Sequence, residues 1–199
     1  MFNTTIATQI YAKICFEATN SQKKIIENLS EYLSDDDFSR IFVLNGFAGT
    51  GKTTLIAALV AALKELRIKP VLLAPTGRAA KVLARYCGEQ ALTIHKRIYR
   101  QRTNADYESK FSLDFNRDEA SMLSDSTGDG ALFGSGSLLE DLVSYVRSGR
   151  GCRLILVGDS AQLPPVGCDF SPALDPATVS RYGEVVYGLM DEVVRQQMQ

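Results

Sequence analysis

The chain has 199 residues, 45% hydrophobic and 23% charged, with a formal net charge of −1. That length supports one substantial core with a small insertion, and the balance is that of an ordinary globular domain, not a uniformly basic nucleic-acid binder. No apolar run reaches 18 residues, so no membrane span is expected. Cys15, Cys87, Cys152 and Cys168 are scattered, no C-x-x-C occurs and His95 is the lone histidine. A zinc site or disulfide framework is thereby disfavoured, and reduced thiols fit a cytoplasmic chain. The N-terminus has no basic start followed by an apolar block, so no secretory signal is expected.

In chain order, residues 1–18 are mixed and read as a loosely held N-terminal arm. The stretch NSQKKIIENLSEYL puts Ile25, Ile26, Leu29, Tyr32 and Leu33 on one helical face, with Asn20 or Ser21 as N-cap. By itself Gln22 reads as a surface glutamine in the first turn. Ile41 to Leu44 is a short buried strand running into GFAGTGKT, residues 46–53. This matches G-x-x-x-x-G-K-[ST] at every fixed position, and a leucine-striped helix follows. Gly46, Gly49 and Gly51 let the backbone approach phosphates closely. The loop N–H groups form an anion nest at a helix N-terminus. Lys52 is suited to the β- and γ-phosphates and the Thr53 hydroxyl to Mg²⁺. The nucleotide contacts expected from this loop are Gly46, Ala48, Gly49, Thr50, Gly51, Lys52, Thr53 and Thr54, with ATP as the ligand.

Val71 to Ala74 is a second strand, and AAKVLARYC a helix closed by Gly88. This alternation predicts a parallel sheet with helices on both faces. Ligands sit at the carboxyl ends of such strands, and Thr76 and Arg78 follow one. Next comes Thr93-Ile94-His95-Lys96; the histidine reads equally as structural or functional. Residues 99–117 mix basic and aromatic side chains, as suits a small insertion touching single-stranded nucleic acid, and FSLDF alternates like a hairpin strand. From Thr76 to Lys110 there are eight basic and three acidic residues. From Phe111 to Leu142 there are seven acidic residues and one basic. Such asymmetry fits a local nucleic-acid surface or a solvated face.

Asp118-Glu119 is an adjacent carboxylate pair suited to Mg²⁺ chemistry, one holding hydrated metal and one orienting water. Residues 124–137 read as a loop, Leu138 to Val146 as an amphipathic helix, and Arg153 to Val157 as a strand. That strand delivers GDSAQLPP, whose Gln162 stands where a phosphate can be sensed.

The strings NSQ, GFAGTGKTT, APTGRAAK, TIHK, DEASM, GDSAQLPPV and EVVRQ occur in one order across residues 20–196. This set resembles the N-terminal RecA-like domain of superfamily 1B helicases of the RecD/Dda-like, 5′-to-3′ group. The resemblance implies an α/β P-loop NTPase fold with a small hairpin-like insertion. Residues 19–98 and 118–199 would form the two parts of the ATPase domain, and residues 99–117 the insertion. It gives Gln22 to adenine, Lys52 to the phosphates, Asp118 with Thr53 to the metal and Glu119 to catalysis. Gln162 becomes the γ-phosphate sensor and Arg195 the arginine that reaches it. Thr76, Arg78, Thr93 and His95 fall in segments that contact single-stranded DNA.

Two departures follow. Family members carry an apolar strand directly before the DE pair, whereas Asp114, Asn116 and Arg117 suit a doubly buried strand poorly. The chain also ends just after the arginine motif, without the second RecA-like domain that translocation needs. The expectation is therefore a monomeric motor fragment that does not unwind DNA alone. Two rivals remain: a catalytically impaired nucleotide-binding module, and a P-loop ATPase that does not act on nucleic acid.

Overall fold

The computed structural model describes residues 2–101, 111–113, 121–125, 138–162 and 171–194. Its strands are β1 (Ile41–Gly46), β2 (Pro70–Ala74), β3 (Ala91–Thr93), β4 (Tyr99–Gln101), β5 (Phe111–Leu113), β6 (Ser121–Asp125), β7 (Arg153–Gly158) and β8 (Val185–Met190). Six of them form one parallel sheet in the order β3-β2-β6-β7-β1-β8. The other two, β4 and β5, pair antiparallel as the hairpin-like insertion, with Tyr99 opposite Leu113.

Helices cover both sheet faces, which is why the runs Ile41–Leu44 of β1 and Leu154–Val157 of β7 are continuously apolar and not alternating. Phe42 and Leu44 of β1 enter one core with α1 (Phe2–Lys13), α2 (Asn20–Ser34) and α3 (Lys52–Glu65). Ile41 and Val43 enter the other, with α5 (Ile94–Ile98), α6 (Leu138–Ser148) and α7 (Pro176–Val179). The helix α4 (Gly77–Cys87) leans on α3 and sends Leu83 and Cys87 toward the first core. It ends at Gly88 in the left-handed conformation, as its sequence predicts.

Four features differ from the sequence reading. The N-terminal arm is not loosely held: α1 packs on α2 and α3, with Ile6 and Ile10 fully buried. The i, i+4 spacing of its isoleucines makes one apolar stripe. The Ala7 N–H donates to Ser30 Oγ at 3.2 Å, and Lys13 pairs with Glu65. Second, the N-cap of α2 is Thr19, one residue earlier than expected, in a reciprocal capping box with Gln22. Third, β8 and α7 extend the fold beyond the elements read from the sequence.

Fourth, the slot between β2 and β7 is filled by Ser121–Asp125, which follow the DE pair. Met122 and Leu123 are the apolar residues of that strand, and Asp114, Asn116 and Arg117 lie outside the described residues. Asp118 and Glu119 lie outside the described residues, as does Arg195.

Candidate active site

The chain leaves β1 at Gly46 and enters α3 at Lys52. Between them Gly49 and Gly51 have φ of 79° and 84°, a region that a side chain would strain. A Cβ on Gly51 would stand 2.8 Å from Gln22 Nε2. Gly51 is also the N-cap of α3 and has no side chain to bond the first-turn N–H groups. Those donors and the positive end of the helix face a cavity of about 410 Å³.

Ala48, Gly49, Gly51, Lys52, Thr53 and Thr54 line that cavity on the loop side, and Asp159 and Gln162 on the side of β7. Six of the eight sequence-predicted loop residues therefore meet the predicted sensor, and Gly46 and Thr50 are not among the lining residues. Lys52 Nζ donates to the carbonyls of Gly46 (2.5 Å) and Phe47 (2.7 Å) and lies 3.5 Å from Asp159 Oδ2. Thr50 does not line the cavity. It is fully buried and donates its hydroxyl to the Phe47 carbonyl at 2.8 Å, bracing the loop from within.

Gln22 is buried, not a surface glutamine. Its Nε2 donates to the Thr50 carbonyl at 2.9 Å, and its Oε1 accepts from the Thr19 N–H at 3.1 Å. It is absent from the cavity lining and acts as a prop between α2 and the loop. The described tail reaches the same loop. Val194 N–H donates to the Gly49 carbonyl at 3.0 Å, and Ser21 N–H donates to the Glu192 carboxylate at 2.9 Å.

The other predicted set lies at the carboxyl ends of β2 and β3, where Ala74 and Thr93 are register partners. Thr76 caps α4, accepting from Ala79 N–H at 3.2 Å, and Thr93 caps α5, accepting from Lys96 N–H at 3.1 Å. Thr76 and Arg78 are exposed and share a shallow cleft of about 310 Å³ with Thr53. His95 sits on α5, its ring 5.5 Å from that of Tyr99. The Tyr99 hydroxyl donates to the buried Asp141 carboxylate. Burial first, and then this carboxylate, hold the phenol well above its ordinary range.

Two residues of this region escaped the sequence reading. Asp159 was passed over beside Gln162, although it precedes it in the same GDSAQ string. Asn45, buried at the end of β1, donates to Ser160 Oγ and Tyr187 Oη, each at 2.9 Å. Its Oδ1 accepts from the Ser160 N–H at 3.0 Å. A polar residue closing an apolar strand was the available signal.

A glycine loop between a central parallel strand and an uncapped helix, in a sheet covered on both faces, defines a P-loop, RecA-like domain. Residues 17–199 match the family described as an AAA domain (AAA_30), and the chain belongs to that family. It is similar to the ATP-dependent RecD2 DNA helicase of Deinococcus radiodurans, 30% identical over 154 residues, covering 73% of this chain and 19% of that protein. The uncharacterized protein MJ1519 of Methanocaldococcus jannaschii is 33% identical over 148 residues, covering 65% of this chain and 12% of that one.

Among solved structures, the Bacteroides Pif1 helicase in complex with ADP-AlF3 and ssDNA superposes with a TM-score of 0.56 at 20% identity, over 92% of this chain and 44% of that one. The Candida albicans Pif1 helicase gives 0.57 at 21%, over 92% and 41%. At such identities these structures speak for the fold. The chain spans less than a fifth of the curated relatives and less than half of the solved ones. Motifs, family and fold together make it a P-loop domain of the AAA_30 family with a RecA-like fold. No helix among the described residues is long and apolar enough to cross a membrane.

Proposed function

We propose that the chain is the ATP-binding and ATP-hydrolysing motor domain of a helicase that translocates on single-stranded DNA, 5′ to 3′. The observation that carries this reading is the uncapped start of α3, with Lys52 and Thr53, facing the Gln162 turn across one cavity. The first-turn N–H groups and the Lys52 ammonium would bind the β- and γ-phosphates. Gln162 would contact the terminal phosphate, Glu119 would orient the attacking water for in-line displacement, and Arg195 would neutralise developing charge.

The cavity carries the hydroxyl of Thr53, a hard oxygen donor that suits Mg²⁺. Thr53 would hold that ion together with one further carboxylate. The family pattern gives Asp118. Bound there, Mg²⁺ would supply charge neutralisation on the phosphates. Single-stranded DNA would cross Thr76, Arg78, Thr93 and His95, beside the nucleotide cavity. Translocation would require a second RecA-like domain to close on ATP, and the working unit is a monomer in the cytoplasm.

A second reading, a nucleotide-binding module impaired in hydrolysis, is favoured by one observation: β6 follows the DE pair. ATP turnover by this chain, supplied with a second RecA-like domain, would exclude it.

The test of nucleotide binding is Lys52→Ala, with ATP affinity read by a fluorescent analogue. Loss of charged hydrogen bonds worth about 1.5–3 kcal/mol weakens binding about 10- to 100-fold. Unchanged affinity would overturn the assignment. DNA is tested with labelled oligo-dT, by anisotropy with and without a non-hydrolysable ATP analogue. Binding that responds to the analogue is expected; no response would leave a nucleotide-binding protein without a linked DNA site.

A further inference from the structure

The Gly158–Gln162 turn is tied to the phosphate loop by two side-chain links of different character. One is neutral and three-fold: Asn45, next to Gly46, bonds both the N–H and Oγ of Ser160 and also Tyr187 Oη. Nothing about a phosphate competes for an amide already satisfied in this way. The other link is ionic. The Asp159 side chain is only 3% exposed, and its two oxygens are divided between two tasks. Oδ1 accepts from the Ala161 N–H at 3.0 Å, inside the turn, while Oδ2 faces Lys52 Nζ at 3.5 Å, across the cavity. That distance exceeds the roughly 2.7–2.9 Å of a tight charged hydrogen bond, so the link holds by charge and is readily exchanged.

We infer that Asp159 is a positioning residue that holds Lys52 in the nucleotide-free domain and yields it to incoming phosphates, thereby passing nucleotide arrival to the turn that carries Gln162. The inference rests on the nucleotide-binding reading above. Two forces act in the same direction. Phosphate oxygens compete for the Lys52 ammonium, and their negative charge repels the Asp159 carboxylate lining the same cavity. A carboxylate this buried cannot keep its place without a cation. Its own backbone carbonyl accepts from the Gln162 N–H at 3.2 Å, so displacement of Asp159 is transmitted directly to the sensor. Ser160, held by Asn45, is the fixed point about which the turn adjusts.

The test is a double-mutant cycle on the 199-residue chain, using Asp159→Asn, Lys52→Met and both together, with mant-ATP affinity measured without Mg²⁺. Asp159→Asn keeps the shape and the acceptor for Ala161 but removes the charge that holds Lys52. Expected is binding about fivefold tighter than wild type, the scale of one ion pair of about 1 kcal/mol. In the Lys52→Met background the gain should shrink to less than half. An equal gain in both backgrounds would mean repulsion without a latch and would overturn the inference. So would unchanged or weaker binding by Asp159→Asn. Failure of wild type itself to bind mant-ATP would instead bring down the nucleotide-binding reading, and the inference with it. If Asp159→Asn does not melt cooperatively, Asp159→Ser replaces it with the same expectations.

Discussion

Among the described residues, three strand-to-helix junctions lie at the carboxyl edge of the sheet, and they are finished in two ways. At the β2–α4 and β3–α5 junctions a threonine stands at the N-cap and its hydroxyl accepts a backbone N–H of the first turn. Those helix starts are satisfied by their own chain. At the β1–α3 junction the cap is Gly51, left-handed and without a side-chain bond. The topology is the same and the end groups are opposite. A parallel sheet offers several helix starts to ligands; the start left uncapped is the one whose donors remain for an anion. The capped pair instead presents a settled surface, which carries Arg78 and His95.

The contrast can be broken most forcefully at Gly51. In Gly51→Ala the new Cβ must occupy a φ of +84° and approach Gln22 Nε2. The left-handed conformation costs about 1–2 kcal/mol, and disturbing the buried Gln22 bond adds about 1–3 kcal/mol. A marked drop in thermal midpoint and a loss of ATP affinity of at least about tenfold are expected. Melting and titration like wild type would show that the glycine cap is incidental. Gln22→Ala should follow at about 1–3 kcal/mol, since it leaves the Thr50 carbonyl buried without its donor. ATP and GTP affinities should fall together, because the side chain props the loop from outside the cavity. A fall confined to ATP would restore the adenine-reading role that the family pattern gives it.

Local sequence carried the elements whose signals are local. The strand before the loop, the loop, the leucine stripe of α3, the Gly88 stop and the RLILV strand were all readable, because periodicity and glycine placement act within one segment. The misses depend on distant partners. β8 is an edge strand stabilised by pairing with β1, more than 130 residues away in sequence, and VVYGLM has no turn signal that marks it as a strand. The α1 stripe rests on two or three isoleucines among threonines and glutamine, too sparse to stand out until α2 and α3 cover it. β6 went unread because Ser121–Asp125 holds only two apolar residues, and its place shows only in the slot between β2 and β7. At the site, the loop was legible by spacing. Asp159 and Asn45 were not, because their roles arise where β1 and β7 lie side by side.

The capped junctions give the smallest and most discriminating effects. Thr76→Ala and Thr93→Ala each remove one N-cap hydroxyl, a loss of about 1 kcal/mol apiece. The two threonines cap separate helices, so their costs should come close to adding. Serine at either position keeps the oxygen and should recover most of the loss. ATP affinity should not change in either variant, because neither hydroxyl belongs to the Lys52 cavity. Oligo-dT affinity separates the two uses of a strand-end threonine. If the hydroxyls serve only their helices, single alanine variants bind DNA as wild type does once measured well below their melting range. If stability is untouched while DNA binding falls, the hydroxyls face the ligand in solution and the distinction between the capped and uncapped junctions is lost.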